Sequence, residues 1–173
     1  MYNYYIMAEV FREIQDYTNY EVSNIGNVRN KKTGRIIKKH ITHGYYRVGL
    51  CKDSKETKYV VHRLVASAFI NNPLNKDCVD HTNNNKLDNR FENLRWATST
   101  ENNRNTTIRK TNTTGVKGVN YIEKTNTWRA RICIDGISIH IGTYDTLEEA
   151  KQARIDKVRL AFGDFANTQE CNA

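Results

Sequence analysis

Four polar side chains, Asp80, His81, Asn93 and Asn102, have the types and spacing to act together on a phosphate. The carboxylate of Asp80 and the amide oxygen of Asn102 are hard oxygen ligands. A site with only these two protein ligands and no thiolate suits Mg²⁺, with Mn²⁺ as a substitute, because Mg²⁺ keeps several waters and accepts phosphate oxygens. A neutral His81 beside such an ion could take a proton from water, and Asn93 could fix its orientation. In the alternative interpretation, the asparagines only cap turns and helix ends.

The residues between these positions predict the order strand, loop, strand, helix. The predicted elements are a strand at 78–81, a loop at 82–92, a strand from Asn93 and a helix from Ser99. The helix follows from the capping box Thr98-Ser99-Thr100-Glu101. A helix packed across the hairpin would bring Asn102 opposite Asp80. Four other asparagines are interpreted as turn residues of the loop, namely Asn83, Asn84, Asn85 and Asn89.

The segments on either side also alternate in short β-like runs. Before the site, the predicted strands lie at 20–22, 26–30, 35–39 and 45–50, and a helix runs from His62 to before Asn71. After it, residues 106–114 are rich in threonine and predict a linker, and strands follow at 116–123, 127–135 and 137–144. A second capping box at 146–149 opens a final helix, whose predicted apolar face is Leu147, Ala150, Val158, Ala161, Phe162 and Phe165.

The chain is basic, with a net charge of +8 and a pI near 9.3, which favours a polyanionic partner. Residues 1–70 hold 12 basic and 6 acidic residues, residues 71–110 hold 7 and 5, and residues 111–173 hold 8 and 8. Much of the excess lies in the segment 28–39, which has no acid. In the alternative interpretation, this segment is only a solvated lysine-rich hairpin.

The cysteines and the apolar runs restrict the class of protein. Cys51, Cys78, Cys133 and Cys171 include no C-x-x-C pair, so reduced and partly buried thiols are expected rather than a zinc site or a disulfide framework. No stretch is long and apolar enough for a membrane span, and the first residues lack the pattern of a signal peptide. A soluble intracellular protein is expected.

The run from Val61 to Asn105 contains VHRLVASAF, VDHTNNNKLDNRFENLRWAT and STENNRN, and it resembles the HNH nuclease family. It is similar to the branch of phage and viral homing endonucleases in which the last His is replaced by Asn. The resemblance implies a ββα-metal fold. It also implies that Asp80 and Asn102 are metal ligands, that His81 is the general base and that Asn93 orients it.

The flanking segments resemble two DNA-binding modules. The sequence FREIQDYTNYEVSNIGNVRN with GYYRVGL is similar to the amino-terminal nuclease-associated modular DNA-binding motif, with Phe11 where Trp is usual. Residues 115–167 resemble the apetala-two/ethylene-response-factor domain, whose exposed sheet face lies in the DNA major groove. The expected DNA contacts are Arg29, Lys31, Lys32, Arg35, Lys38, Lys39, Arg47, Lys117, Asn120, Lys124, Arg129, Arg131 and His140. Trp128 is expected in the core or at the sheet edge.

Together these patterns predict an α+β modular protein. The expected parts are a β-sheet DNA-binding module at 1–58, a ββα-metal core at 59–105, a linker at 106–114 and a three-stranded antiparallel sheet with one helix at 115–170. The expected function is a site-preferring homing-type endonuclease. It would act on double-stranded DNA as a monomer, nick one strand, and leave a 5′-phosphate and a 3′-hydroxyl. The alternative is a non-catalytic DNA-binding protein that retains an inactive HNH core.

Overall fold

A computed structural model describes residues 8–106, 108 and 111–166 of the chain. Cys171 and the expected end of the last domain at residue 170 lie outside the described residues. The chain divides into two compact units, Met1–Ala97 and Thr98–Ala173. In the part of the chain that is described, no helix is long and apolar enough to cross a membrane.

The first unit contains two three-stranded antiparallel sheets, a two-stranded hairpin and one α-helix. Its elements are β1 (Phe11–Ile14), β2 (Tyr17–Ser23), β3 (Val28–Asn30), β4 (His40–Thr42), β5 (Tyr45–Lys52), β6 (Lys55–Val60), α1 (Val61–Phe69), β7 (Cys78–His81) and β8 (Leu94–Ala97). The sheets have the orders β1-β2-β3 and β4-β5-β6, and β7 pairs with β8 as a hairpin. A short 3-10 turn, Phe91–Asn93, precedes β8.

The predicted strand at 35–39 is wrong in its extent, because this segment pairs only once. An isolated bridge joins Ile36 to Arg29, and Ile37 N donates to Val28 O at 2.8 Å. Lys39 then reaches across to Gly26 O and Asn27 Oδ1, at 3.1 and 3.0 Å. Beyond this bridge the segment leaves β3, and regular pairing resumes only at β4.

The core of the first unit lies between α1 and the sheets. Val22, Val28, Leu50, Val61 and Val65 are completely inaccessible to solvent. Burying each such side chain stabilises the fold by about 1.5–3 kcal/mol relative to leaving it exposed. Val79 of β7 and Leu94 of β8 join the same cluster, so the hairpin that carries the predicted site rests on the core under α1.

The second unit is a three-stranded sheet with a helix on one face, as the sequence predicts. Its elements are α2 (Ser99–Arg104), β9 (Val119–Ile122), β10 (Thr127–Ile134), β11 (Ile137–Tyr144) and α3 (Leu147–Phe162), with 3-10 turns at Glu123–Thr125 and Gly163–Phe165. The strand order is β11-β10-β9 and all pairs are antiparallel. Both predicted capping boxes are confirmed, since the side chains of Thr98 and Thr146 accept from the backbone N–H three residues later.

The buried face of α3 differs in part from the predicted one. Ala150 and Val158 are buried as expected, but Ile155 and Arg154 are buried as well. Arg154 Nε donates to Lys117 O at 2.8 Å, so the guanidinium is held by the backbone that leads into β9. A helical pattern based on apolar residues does not identify such a buried cation.

The threonine-rich segment before β9 is partly built into the second unit. Thr114 and Val116 are buried, although the sequence suggests little to bury there. Asn112 Oδ1 accepts from Gly115 N at 2.8 Å, and its Nδ2 donates to Val116 O at 3.0 Å. Residues 107, 109 and 110 of the predicted linker lie outside the described residues.

None of the described cysteines forms a disulfide, but two of them are less buried than expected. Cys78 is partly buried, whereas Cys51 and Cys133 are exposed. Both lie near the ends of strands, at positions whose side chains point away from the core. The expectation of partly buried thiols is therefore wrong for these two residues.

Replacing the cap of α3 will destabilise the second unit. Thr146→Ala removes the side-chain oxygen that accepts from Glu149 N at 3.2 Å, and we expect a loss of about 1 kcal/mol in the free energy of unfolding. Urea unfolding followed by Trp128 fluorescence in a Trp96→Phe background measures it. Thr113→Ala, at an exposed turn, is the matched control, and an equal loss in both variants would contradict the assignment.

Acid will destabilise the first unit through His62 of α1, which is only 8% exposed. Burial first, and then the charges of His81 and Arg63, lower the pKa of His62 to about 3. The unfolded chain takes up this proton near pH 6.5, whereas the folded unit does not. The stabilising contribution is therefore fully present above about pH 6.5 and is lost as the pH falls towards 3, by up to about 1.4 kcal/mol per pH unit.

The measurement compares the parent with His62→Leu, by urea unfolding followed by Trp96 fluorescence in a Trp128→Phe background. Between about pH 6.5 and pH 5, we expect the parent to lose about 2 kcal/mol more than His62→Leu. His43→Leu, at an exposed turn, should keep the full acid dependence of the parent. Identical pH dependence in the parent and His62→Leu would refute this account.

Candidate active site

Asp80 and His81 occupy the end of β7, and both side chains are 5% exposed. The register of the hairpin sets Asp80 opposite Arg95. Arg95 donates from Nε and Nη2 to Asp80 Oδ2, at 2.8 and 2.6 Å. A charge-assisted pair of this kind fixes the carboxylate on the hairpin and offsets part of the cost of burying its charge.

The imidazole of His81 is held by Asn89, whose Oδ1 lies 3.1 Å from Nε2. An amide oxygen only accepts, so this contact favours the tautomer with the proton on Nε2 and the lone pair on Nδ1. Burial lowers the pKa of His81 below its ordinary 6.5 and outweighs the opposing effects of Asn89 and Asp80. The ring is therefore neutral near pH 7, which is the form that can accept a proton.

Asn89, which the sequence pattern predicts to be one of the turn residues, instead bonds to the imidazole of His81. It is 4% exposed, unlike a solvated loop residue. Gly26, at φ 83°, makes room for it: a Cβ at Gly26 would lie 2.9 Å from Asn89 Cβ. A second contact, Phe91 N to Asn24 O at 2.8 Å, joins the loop to the same β2–β3 turn. No spacing in the sequence connects these two distant segments.

Asn93, predicted to orient His81, makes its hydrogen bonds to the loop at 82–92. Its Nδ2 donates to Asp88 O at 2.8 Å and its Oδ1 accepts from Asn83 N at 3.0 Å. Its carbonyl oxygen accepts from Thr82 N at 2.8 Å. Asn93 thus closes the loop that carries Asn89, the residue that bonds to His81.

Two further aromatic rings line the imidazole, and neither was among the predicted site residues. The ring of His62 meets that of His81 edge to face, with centroids 4.9 Å apart. The ring of Tyr45 lies 5.1 Å from His62 and 6.2 Å from His81. The one sequence signal for His62 is its position on the apolar face of a helix, which more often marks a core residue.

The loop asparagines confirm their interpretation as turn residues at three positions. Asn83 Oδ1 accepts from Asn85 N at 2.8 Å, and Asn85 Oδ1 accepts from Leu87 N at 3.1 Å. Asn84 has φ 61°, a left-handed conformation that Asn tolerates well. These contacts repeat over successive residues, so the loop is ordered by its own side chains.

Asn102 lies in α2 of the second unit, where it is half-buried and its backbone N–H donates to Thr98 O at 2.9 Å. Asn103 beside it is exposed. Among residues 8–106, 108 and 111–166, no group of three or more His, Cys, Asp or Glu could hold a metal ion. The donor types of Asp80 and Asn102, a carboxylate and an amide oxygen, fit Mg²⁺ with water completing its shell.

The basic residues predicted to contact DNA in the first unit fall into two groups. Three of these basic residues are paired with, or buried against, other parts of the protein. Arg29 pairs with Glu21 at 2.7 Å, Lys31 pairs with Glu13 at 2.7 Å, and Lys39 is half-buried, so burial lowers its pKa. The remaining residues are the exposed Lys32, Arg35 and Lys38, and the half-buried Arg47.

In the second unit, the register brings four predicted contacts onto one face of the sheet. Arg129 pairs with Asn120, and Arg131 pairs with His140. The alternating residue Ala130 is buried on the opposite face. Lys124 is exposed in the turn between β9 and β10, and Lys117 donates to Thr106 O. Trp128 lies on the central strand and packs against the core. This agrees with the first of its two expected positions, the core or the sheet edge.

Two family models and several known proteins are similar to this chain. Residues 9–51 match the NUMOD4 motif and residues 59–104 match the HNH endonuclease family. An uncharacterized HNH endonuclease of Acanthamoeba polyphaga mimivirus is 42% identical over 91 residues, which are 53% of this chain and 28% of that protein. The chain spans between 27% and 52% of the length of three such curated relatives.

Two matches cover a larger share of the other protein, and the second is a structural match to one of the three relatives just counted. The H-N-H endonuclease F-TflII of Escherichia phage T5 is 30% identical over 130 residues, which cover 73% of this chain and 67% of that protein. A solved structure described as DNA binding and cleavage by the HNH homing endonuclease I-HmuI is 29% identical, has a TM-score of 0.53, and covers 88% of this chain and 91% of that one. The apetala-two-like assignment of residues 115–167 stays a prediction. The chain belongs to the HNH endonuclease family, with a NUMOD4 motif before its HNH domain.

Proposed function

We propose that this protein is a site-preferring DNA endonuclease of the homing type that hydrolyses a phosphodiester bond. The observation that supports it best is the buried, neutral imidazole of His81, held at Nε2 by Asn89 with the lone pair on Nδ1. A positioned neutral imidazole is a good general base near pH 7. The solved relative is described as binding and cleaving DNA, which favours DNA as the substrate.

In this proposal, each residue at the site has a separate task. His81 Nδ1 takes a proton from the attacking water, while Asn89 holds the ring and Asn93 holds the loop behind it. Asp80 and Asn102 are the ligands of one Mg²⁺, for which Mn²⁺ can substitute. The metal, when bound, polarises the scissile phosphate and stabilises the leaving oxygen. Arg95 keeps the Asp80 carboxylate oriented.

DNA binding would extend over both units. From the first unit, the exposed Lys32, Arg35 and Lys38 contact the phosphate backbone of the DNA. From the second unit, the sheet face with Arg129, Arg131 and His140 contacts it. Each neutralised phosphate makes binding more salt-dependent, with a slope of about −0.9 per contact in a double-logarithmic plot. One catalytic histidine per chain favours a nick in one strand by a monomer, with a 5′-phosphate and a 3′-hydroxyl as products.

A non-catalytic DNA-binding protein is the second candidate, because the charge and the flanking modules suit it equally well. It does not account for the hydrogen bonds that hold His81 and Asp80 buried and oriented. Buried polar groups of this kind cost stability unless they are paired, and structural roles alone could be served by apolar residues.

Nicking of supercoiled plasmid tests the enzyme hypothesis. We expect the wild-type protein to convert supercoiled plasmid to the open circle in the presence of Mg²⁺, and we expect this nicking to stop when EDTA is added. His81→Ala should lower the rate by about 100-fold or more, because general-base catalysis contributes about 10²–10⁴-fold. His43→Ala, at an exposed turn, should be unaffected. Absence of nicked product, or equal nicking by His81→Ala, would leave the non-catalytic candidate.

The sheet face of the second unit can be tested by Arg131→Gln combined with His140→Gln. We expect weaker preference for the selected target site and a shallower salt slope, while nicking that depends on His81 persists. Lys151→Gln with Lys157→Gln on α3 is the control pair. Target preference is measured by sequencing the nicked strands. If the Arg131→Gln/His140→Gln variant keeps the wild-type preference, this face of the sheet does not contact the target DNA.

A further inference from the structure

Lys86 is an exposed lysine of the loop at 82–92 whose side chain lies against the β4–β5 turn. Its Nζ lies 4.9 Å from the centroid of the Tyr45 ring. Its Cδ lies 3.9 Å from the place that a Cβ would take on Gly44. The stem and the ammonium group therefore have a defined path over the turn.

The ring that holds this ammonium group also borders the imidazole of His81. Tyr45 lies 6.2 Å from His81 between ring centroids. Through Tyr45, the ammonium group therefore lies no more than about 11 Å from the imidazole, which corresponds to about three phosphates along one DNA strand at an axial advance of about 3.4 Å each. A strand whose phosphate lies at His81 would thus pass its neighbouring phosphates close to Lys86.

The loop presents Lys86 in a fixed conformation. The residue on its N-terminal side, Asn85, bonds to Asn83 and to Leu87 N, and the residues on its C-terminal side are closed by Asp88 and Asn93. A cation on such a loop loses little backbone freedom when it binds, which favours contact with an anion.

The charge of Lys86 is not neutralised by a carboxylate among the described residues. The acid in the middle of the same loop, Asp88, is already paired with Arg90 at 2.7 and 2.8 Å. The nearby acid of the hairpin, Asp80, is paired with Arg95. Lys86 therefore carries a charge beside His81 that no described carboxylate neutralises and that an external anion can neutralise.

We propose that Lys86, held on the face of Tyr45, binds a backbone phosphate that lies one to three positions along the DNA strand from the one attacked at His81. This inference rests on the proposed function and adds a substrate contact to it. The simpler interpretation is that the lysine only covers an aromatic ring at the surface. That interpretation predicts a small change in stability and none in DNA binding.

The experiment compares Lys86→Met with Lys52→Met. Lys52 Nζ also lies over a tyrosine, Tyr17, at 6.0 Å. Lys52 is the last residue of β5 and Tyr45 is the first, so the two lie roughly 23 Å apart at about 3.3 Å per residue. The control thus removes the same charge and the same kind of ring contact, away from the site. Equilibrium binding to a duplex carrying the mapped nick site is measured in EDTA over a range of NaCl, and nicking is measured with Mg²⁺.

We expect Lys86→Met to make the salt slope of binding shallower by about 0.9, the value of one phosphate contact. The KM for DNA should rise, while the rate at saturating DNA changes less than about twofold, because a uniform binding contact affects KM alone. Lys86→Arg should restore most of the binding. Lys52→Met should leave slope and KM as in the wild type.

A single methylphosphonate, placed in turn at each of the three phosphates on either side of the scissile phosphate, provides the decisive comparison, and the effect is expected at the position that Lys86 contacts. The uncharged group should weaken wild-type binding and remove the difference between wild type and Lys86→Met. The proposal for Lys86 is overturned if wild type binds and nicks DNA but Lys86→Met keeps the full salt slope of binding. It is also overturned if the salt slope becomes shallower by the same amount in Lys86→Met and Lys52→Met. In both cases the proposed endonuclease function is unaffected. If wild type neither binds nor nicks DNA, both fail together.

Discussion

The structure of the site depends on keeping one imidazole buried, neutral and oriented at the end of a short hairpin. A buried histidine of this kind is stable only if its polar atoms are satisfied and its ring is packed. Asn89 provides the hydrogen bond, and His62 and Tyr45 provide the packing. These residues come from a loop, a helix and a strand of a different sheet, so the whole first unit is needed to assemble the surroundings of one ring.

This requirement explains features that have no direct part in chemistry. The left-handed Gly26 lies in a turn far from the site in sequence, yet its missing side chain leaves the space in which Asn89 sits. α1 rests on the core through Val61 and Val65, and that contact sets the position of His62 between them. Fold and site are therefore linked by packing, and a change in either turn or helix reaches His81 through one intermediate residue.

The sequence predicts the elements well where local signals act alone. Both capping boxes, the hairpin of Asp80 and the three-stranded sheet of the second unit follow from period and turn residues, and the structure confirms them. What it did not predict depends on contacts between distant segments. The role of Asn89 requires Gly26, and the burial of Arg154 requires the carbonyl of Lys117. The strand expected at 35–39 forms only one bridge to β3, and Lys39 at its end donates to Gly26 O in the preceding turn.

The asparagine-rich loop has a consequence for how a segment without secondary structure can be rigid. An asparagine side chain carries the same carbonyl and N–H groups as a peptide bond, on a short stem. A loop that contains several of them has, in effect, a second set of peptide groups with which to satisfy its own backbone. In this loop those bonds act together with Phe91, which packs against the core. The loop can keep its shape while one side faces water and, in turn, a polar polymer that replaces that water.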